Sequence, residues 1–165
     1  MRLNFSSFAM ATIFLFVVPA TAQQKLTLEE IVLQGKFSQD RVWGMNHLPD
    51  GEHYSTMEWD RERGTMYIYK FDYAEGEIQD TLFSSAWVSP DFFFTSYKLS
   101  EDLSKIILAV DQEQIYRHST KADYKIWDRG KERLIDLFDG PKQLYPDFSP
   151  DMTKVGFVSE NNLYF

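Results

Sequence analysis

Short apolar runs broken by polar turn residues, rather than long helical periods, pattern most of this chain. From Arg41 onward Asp50-Gly51 marks a turn, Tyr54–Trp59 follows with aromatic and threonine content, and Arg61-Glu62-Arg63-Gly64 leads into Thr65–Phe71. Farther on, Ile107-Leu108-Ala109-Val110 through Ile115-Tyr116 and Ala122–Trp127 read as two strands flanking Arg117-His118-Ser119. Strands of this length, closed by Asp, Gly and Pro turns, predict an all-β fold, and helical patterns are too few for a parallel α/β sheet. The one helical signal is Thr27-Leu28-Glu29-Glu30, a capping box, with Leu26 and Ile31 placed as a hydrophobic staple and Gly35 as the terminating C′ residue. Glu29 and Glu30 read as first-turn carboxylates that favour the positive end of the helix dipole, not as an acid/base pair.

An internal repeat organises the strands. Asp102-Leu103-Ser104-Lys105-Ile106-Ile107-Leu108-Ala109 lines up with Asp151-Met152-Thr153-Lys154-Val155-Gly156-Phe157-Val158, and Ser100 with Ser149. After a one-residue gap, Ile115-Tyr116 lines up with Leu163-Tyr164, and a weaker copy starts at Pro49-Asp50-Gly51. A period of about 50 residues built of short strands is the signature of propeller blades. The expected architecture is a partial β-propeller of about three four-stranded blades, after a signal peptide and one short N-terminal helix. The chain stops at Leu163-Tyr164-Phe165, within an apolar strand, so residues 23–165 are expected to be the first part of a longer propeller, cut before the ring closes.

Composition narrows the setting. Arg2, the uncharged apolar run Phe8–Val18 and the small residues Ala20-Thr21-Ala22 read as a secretory signal peptide over residues 1–22, with a mature start near Gln23. The apolar run is too short to cross a hydrocarbon core of about 30 Å. The expected location is therefore outside the cytoplasm, periplasmic or extracellular. With no cysteine, the domain must be stable without disulfides and has no thiolate chemistry. A net charge of −8 argues against nucleic acid as a partner.

Candidate chemistry is sparse. The sequence holds no G-x-S-x-G, H-E-x-x-H, Walker A or G-x-G-x-x-G pattern. His47, His53 and His118 lack paired spacing, and the acidic segment Asp72, Glu75, Glu77, Asp80 lacks the ligand spacing of a calcium loop, so no metal or cofactor is implied. Phe92-Phe93-Phe94 and Tyr67-Ile68-Tyr69 read as packing between blades. Arg117 and His118 lie between strands, where propellers place ligand contacts, although a solvated loop arginine fits the same pattern. A guanidinium carries fixed donors and a permanent charge, which suits it to holding carbonyl oxygens.

The segment Tyr116–Asp128, with its Arg117-His118-Ser119 loop, resembles a propeller blade of the dipeptidyl peptidase IV family. Leu26-Thr27-Leu28-Glu29-Glu30-Ile31 with Gly35-Lys36-Phe37, Phe148-Ser149-Pro150-Asp151, and Asn161-Asn162-Leu163-Tyr164 resemble other segments of that family. The resemblance implies an exported serine peptidase that removes dipeptides from peptide N-termini after proline or alanine, with a propeller covering an α/β-hydrolase domain. It implies that Arg117 holds a carbonyl of the bound peptide, with His118 beside it, and that peptides with a free N-terminus and a homodimeric mate are partners. The family's glutamate pair would follow Phe165, and its catalytic triad has no counterpart here, so this chain alone is expected to be inactive. The competing reading is an exported, non-catalytic propeller that serves as a binding or scaffold module.

Overall fold

Residues 26–34, 36–37 and 43–165 are described in this computed structural model, which divides into one unit within residues 1–40 and another over 41–165. The first contains the short helix α1 (Leu28–Val32). Its capping box forms as expected: the Thr27 hydroxyl accepts the Glu30 backbone N–H at 3.2 Å, and the Glu30 carboxylate accepts the Thr27 N–H at 3.1 Å. The Thr27 N–H, aided by Lys36, holds the Glu30 carboxyl below its ordinary range. Leu26 and Ile31, the expected staple, both stay exposed. The signal segment and Gly35 lie outside the described residues. No described helix is long and apolar enough to cross a membrane.

Residues 43–165 fold into three antiparallel meanders. The first blade is β1 (Trp43–His47), β2 (His53–Asp60), β3 (Thr65–Asp72) and β4 (Ile78–Ser84); the second is β5 (Ser96–Leu99), β6 (Lys105–Tyr116), β7 (Ser119–Asp128) and β8 (Arg133–Asp136). The third is β9 (Leu144–Phe148), β10 (Val155–Ser159) and β11 (Asn162–Tyr164), three described strands against the four expected. The all-β expectation holds.

The repeat is a turn made twice with the same bonds. Ser100 Oγ accepts the Lys105 N–H at 2.9 Å and donates to Asp102 Oδ1 at 2.7 Å, while Asp102 also takes the Ser104 N–H at 3.0 Å. Ser149 Oγ accepts the Lys154 N–H at 3.0 Å and donates to Asp151 Oδ1 at 2.6 Å, and Asp151 takes the Thr153 N–H at 3.1 Å. These donors, the serine hydroxyl foremost, hold both carboxyls down to about 2. Leu103 and Met152, at matching places, take φ of 56° and 55°. In the first blade Asp50 does the corresponding work, accepting the N–H groups of Glu52 and His53, and also bonds His53 Nδ1 at 2.8 Å. His53, the first residue of the inner strand β2, is thus tied to its turn.

The repeat departs from its sequence alignment after the second strand. Ile115-Tyr116 still belongs to β6, whereas Leu163-Tyr164 belongs to β11, the strand after β10. The third blade turns at Glu160-Asn161, both at positive φ (47° and 64°), which suits a tight two-residue hairpin. At the matching place in the second blade, Asp111 also has positive φ (47°), but the strand bulges there and runs on.

The core lies between the first and second blades. Met66, Ile68, Leu82 and Phe83 from the first meet Ile106, Leu108 and Trp127 from the second, with Phe94 of the link between them. Phe83 is fully buried, and the rings of Trp127, Phe94, Trp87 and Phe92 stand 5.4, 5.5, 6.0 and 6.1 Å away, all edge-on. The Phe92–Phe94 run is therefore split: Phe92 and Phe94 pack inward, while Phe93 faces out beside Trp59. Tyr67-Ile68-Tyr69 is split too. Ile68 enters the core, and Tyr67 and Tyr69 stack on each other at 5.1 Å on the opposite face of β3. Within β3, period-two alternation forces the division, since neighbouring strand side chains point to opposite faces. Near the inner strands, Tyr97 donates to the Gly44 carbonyl at 2.6 Å and bonds the buried Ser55 hydroxyl at 2.8 Å, joining β5 to β1 and β2.

Candidate functional site

The hairpin β6–β7 outgrows its sheet. Its strands have 12 and 10 residues, yet β5 pairs with β6 only from Ile106 to Ala109, and β8 pairs with β7 only from Lys125 to Asp128. Residues 111–121 thus form a two-stranded ribbon beyond both neighbours, and Asp111–His118 are exposed. Arg117 and His118 are the two turn residues at its tip, closed by the Tyr116–Ser119 pair. Neither adopts positive φ, and a register shift between Gln114 and Tyr116 accompanies the turn. The structure therefore puts the two sequence-selected residues side by side at the end of a projecting arm. Among the described residues the arginines paired with carboxylates are Arg63 and Arg129, not Arg117, so its guanidinium faces solvent.

A bare two-stranded ribbon is marginal in water, and this one is tethered from outside. Past the end of β8 the outer edge of β7 is taken by Gln143, which exchanges backbone hydrogen bonds with Ala122 at 3.0 and 2.9 Å. The Gln143 side chain, buried, accepts the Tyr124 N–H at 3.0 Å and donates to Pro141 O at 2.8 Å. The neighbouring Lys142 reaches across to the bulge. Its ammonium lies 2.8 Å from Asp111 Oδ2 and 2.8 Å from Glu113 Oε1, and Glu113 Oε2 lies 2.9 Å from Lys121 on the facing strand. Lys142, then Lys121, hold the Glu113 carboxyl down to about 2, and Asp111 with Glu113 raises the Lys142 ammonium. Nearer the tip, the Tyr145 hydroxyl donates to Ser119 Oγ at 3.3 Å. Sequence reasoning singled out none of Asp111, Glu113, Lys142 or Tyr145; the one local signal is a run of acidic and amide residues ahead of Arg117.

At the other end of β7, an open concavity of about 460 Å³ is lined by Thr81, Trp87, Trp127, Arg129 and Glu132. Its Arg129 is already committed to Asp80 at 2.8 Å and to the Leu103 carbonyl at 3.1 Å. Among the described residues no three His, Asp or Glu side chains gather as ligands for a metal ion.

Comparison with known proteins converges on one family. Residues 100–165 match the dipeptidyl peptidase IV (DPP IV) N-terminal region. A probable dipeptidyl-aminopeptidase B of Grosmannia clavigera is 34% identical over 73 residues, which cover 42% of this chain and 8% of that protein. The prolyl endopeptidase FAP of Mus musculus is 28% identical over 143 residues, covering 86% of this chain and 18% of its own length. The crystal structure of Porphyromonas gingivalis dipeptidyl peptidase 4 superposes with a TM-score of 0.69 at 36% identity, over 85% of this chain and 20% of that one. The chain therefore spans less than a fifth of either curated relative. Its three antiparallel sheets and its likeness to that structure make this chain a partial β-propeller, similar to the N-terminal region of dipeptidyl peptidase IV proteins.

Proposed function

We propose that this chain is the leading propeller portion of an exported serine dipeptidyl peptidase, and that Arg117 binds the backbone carbonyl of a peptide held by its free N-terminus, with His118 beside it. The observation that carries the reading is the exposed Arg117 guanidinium at the tip of the projecting hairpin, in the very segment that resembles the family's peptide-binding loop. A cation with a planar set of donors is suited to holding a carbonyl oxygen. The chain contains no nucleophile elbow, so peptidase activity belongs to a protein in which these blades accompany an α/β-hydrolase domain. Export through residues 1–22 to the periplasm or exterior, and assembly as a homodimer, complete the proposal.

The test is steady-state release of the dipeptide from a Gly-Pro reporter by the hydrolase-containing protein. A hydrogen bond from a charged donor contributes about 1.5–3 kcal/mol, so Arg117→Ala should raise KM about tenfold or more. An unchanged KM would remove Arg117 from the site. A wild-type protein that binds peptides yet releases no dipeptide would favour the non-catalytic binding module. Mass spectrometry of the secreted protein should find Gln23 at the mature N-terminus, and a cytoplasmic protein that keeps residues 1–22 would overturn export.

A further inference from the structure

We propose that Lys142 is a positioning residue for Arg117: by clamping the bulge of the projecting ribbon to the link that enters the third blade, it fixes where the guanidinium stands. The proposal rests on the reading of Arg117 as a peptide ligand, and it adds the device that presents it. Three observations support it.

The ribbon needs an external anchor. Beyond Ala109 it has lost β5, and beyond Lys125 it has lost β8, so its own pairing is all that its sheet provides. An arginine on such an arm would sweep a wide volume, and ordering it on binding would cost affinity. Lys142 supplies the anchor at the bulge, through Asp111 and Glu113, six and four residues before Arg117.

The anchor is itself fixed. Lys142 sits beside Gln143, whose backbone and buried side chain are both bonded to β7, and Ser159 of β10 donates to Pro141 O at 3.1 Å. The ammonium is thus held by a segment bonded to the second blade on one side and the third on the other. Its side chain is only 15% exposed, while its partners Asp111 and Glu113 are 73% and 51% exposed. The covered partner is the cation, and the carboxylates come to it.

The contacts form a network rather than a lone surface pair. Lys142 meets Asp111 and Glu113, Glu113 meets Lys121 directly across the ribbon, and Thr95 Oγ1 donates to Gln112 at 2.5 Å from the opposite side. Isolated exposed ion pairs contribute little, whereas one carboxylate shared by two cations from different segments fixes register. Removing the Lys142 charge should therefore loosen the ribbon without unfolding the blades.

Amide hydrogen exchange on the purified chain and reporter kinetics on the hydrolase-containing protein test this together. In Lys142→Met, exchange at residues 112–121 should speed up about tenfold while that at residues 105–109 stays unchanged. In the kinetic arm, KM should rise with kcat held within about twofold, and Lys142→Arg should restore both. Glu113→Gln, which keeps Lys142, should reproduce the loosening if the methionine variant folds poorly. Unchanged exchange in the ribbon would overturn the clamp whatever peptides do. A loosened ribbon with unchanged KM, in a protein where Arg117→Ala raises KM, would overturn its positioning role. If Arg117→Ala leaves KM unmoved, it is the peptide-binding reading that fails, and the exchange arm still decides whether Lys142 holds the ribbon.

Discussion

Phe83→Ala should be the most damaging single truncation in the junction between the first two blades. The ring is fully buried and edge-on to four other aromatic rings between 5.4 and 6.1 Å away. Replacing a buried phenylalanine by alanine costs about 3–5 kcal/mol, the larger values arising where the surroundings cannot collapse into the cavity. Here the cavity would lie beside Ile68, paired with Phe83 across the sheet, and among Trp127, Trp87, Phe92 and Phe94, rings that also pack on one another. Such walls move little, so about 4 kcal/mol is expected. Phe93→Ala is the control: Phe93 is 53% exposed and touches one ring, Trp59, at 6.2 Å, so its loss should cost under about 1 kcal/mol. Phe83→Leu keeps most of the apolar volume without the ring and should fall between, near 1–2 kcal/mol, roughly the aromatic part of the loss. Urea unfolding followed by tryptophan fluorescence reads all three, because Trp87 and Trp127 both pack on Phe83. A domain of this kind is stable by about 5–15 kcal/mol, so the leucine variant stays measurable even if the alanine variant unfolds. If Phe83→Ala cost no more than Phe93→Ala, the idea that this cluster joins the two blades would be wrong.

Three further outcomes follow from the turns and the inner strands. The Asp102 and Asp151 carboxyls are held at about 2 against an ordinary 3.8, so their contribution is full above about pH 4 and is lost as pH falls toward 2; urea midpoints across that window should drop, and the double variant Asp102→Asn, Asp151→Asn should flatten the slope. Gly44→Ala should cost more than Gly51→Ala: both glycines have positive φ, but an added Cβ at Gly44 lies 3.2 Å from Met57 Cβ and 3.3 Å from the Tyr97 ring, while at Gly51 nothing lies within 4 Å. Equal losses in thermal melts would contradict that. Tyr97→Phe should lower stability by about 1–2 kcal/mol, because it strips the Gly44 carbonyl of a donor and leaves the buried Ser55 hydroxyl without its partner; a neutral effect would mean that water replaces the phenol.

What the sequence disclosed, and what it hid, divides by range of interaction. Ser100-x-Asp102 and its copy Ser149-x-Asp151 were legible because every bond in them closes within five residues. The Thr27 capping box was legible for the same reason. The split of Phe92-Phe93-Phe94 was only half legible, since a row of identical apolar residues does not say which of them faces the core until the link between β4 and β5 takes its path. The alignment of Ile115-Tyr116 with Leu163-Tyr164 failed at one place. Asp111 and Glu160 share a left-handed backbone, but one starts a bulge and the other a hairpin. Residue type does not separate those outcomes, because aspartate and glutamate both occur there without glycine's freedom.

The candidate site divides in the same way, and the division bears on mechanism. Arg117 could be picked out because its loop between two strand-like runs is visible locally and its segment resembles a dipeptidyl peptidase IV blade. Its support could not, because Lys142 meets Asp111 across 31 residues, and a lysine at the start of a polar link looks like any solvated charge. On the proposed reading of Arg117 as a peptide ligand, it is the support that decides how well it works. A guanidinium on a free arm contributes charge but little selectivity, since the binding energy of its hydrogen bond is offset by the cost of ordering the arm. Held by Lys142 at the bulge and by Tyr145 near the tip, the same guanidinium is presented with that cost largely met in folding. On that proposal, substitutions at Arg117 and at Lys142 should differ in kind: the first would remove the ligand for every peptide, whereas the second should penalise most those peptides that depend on one carbonyl position.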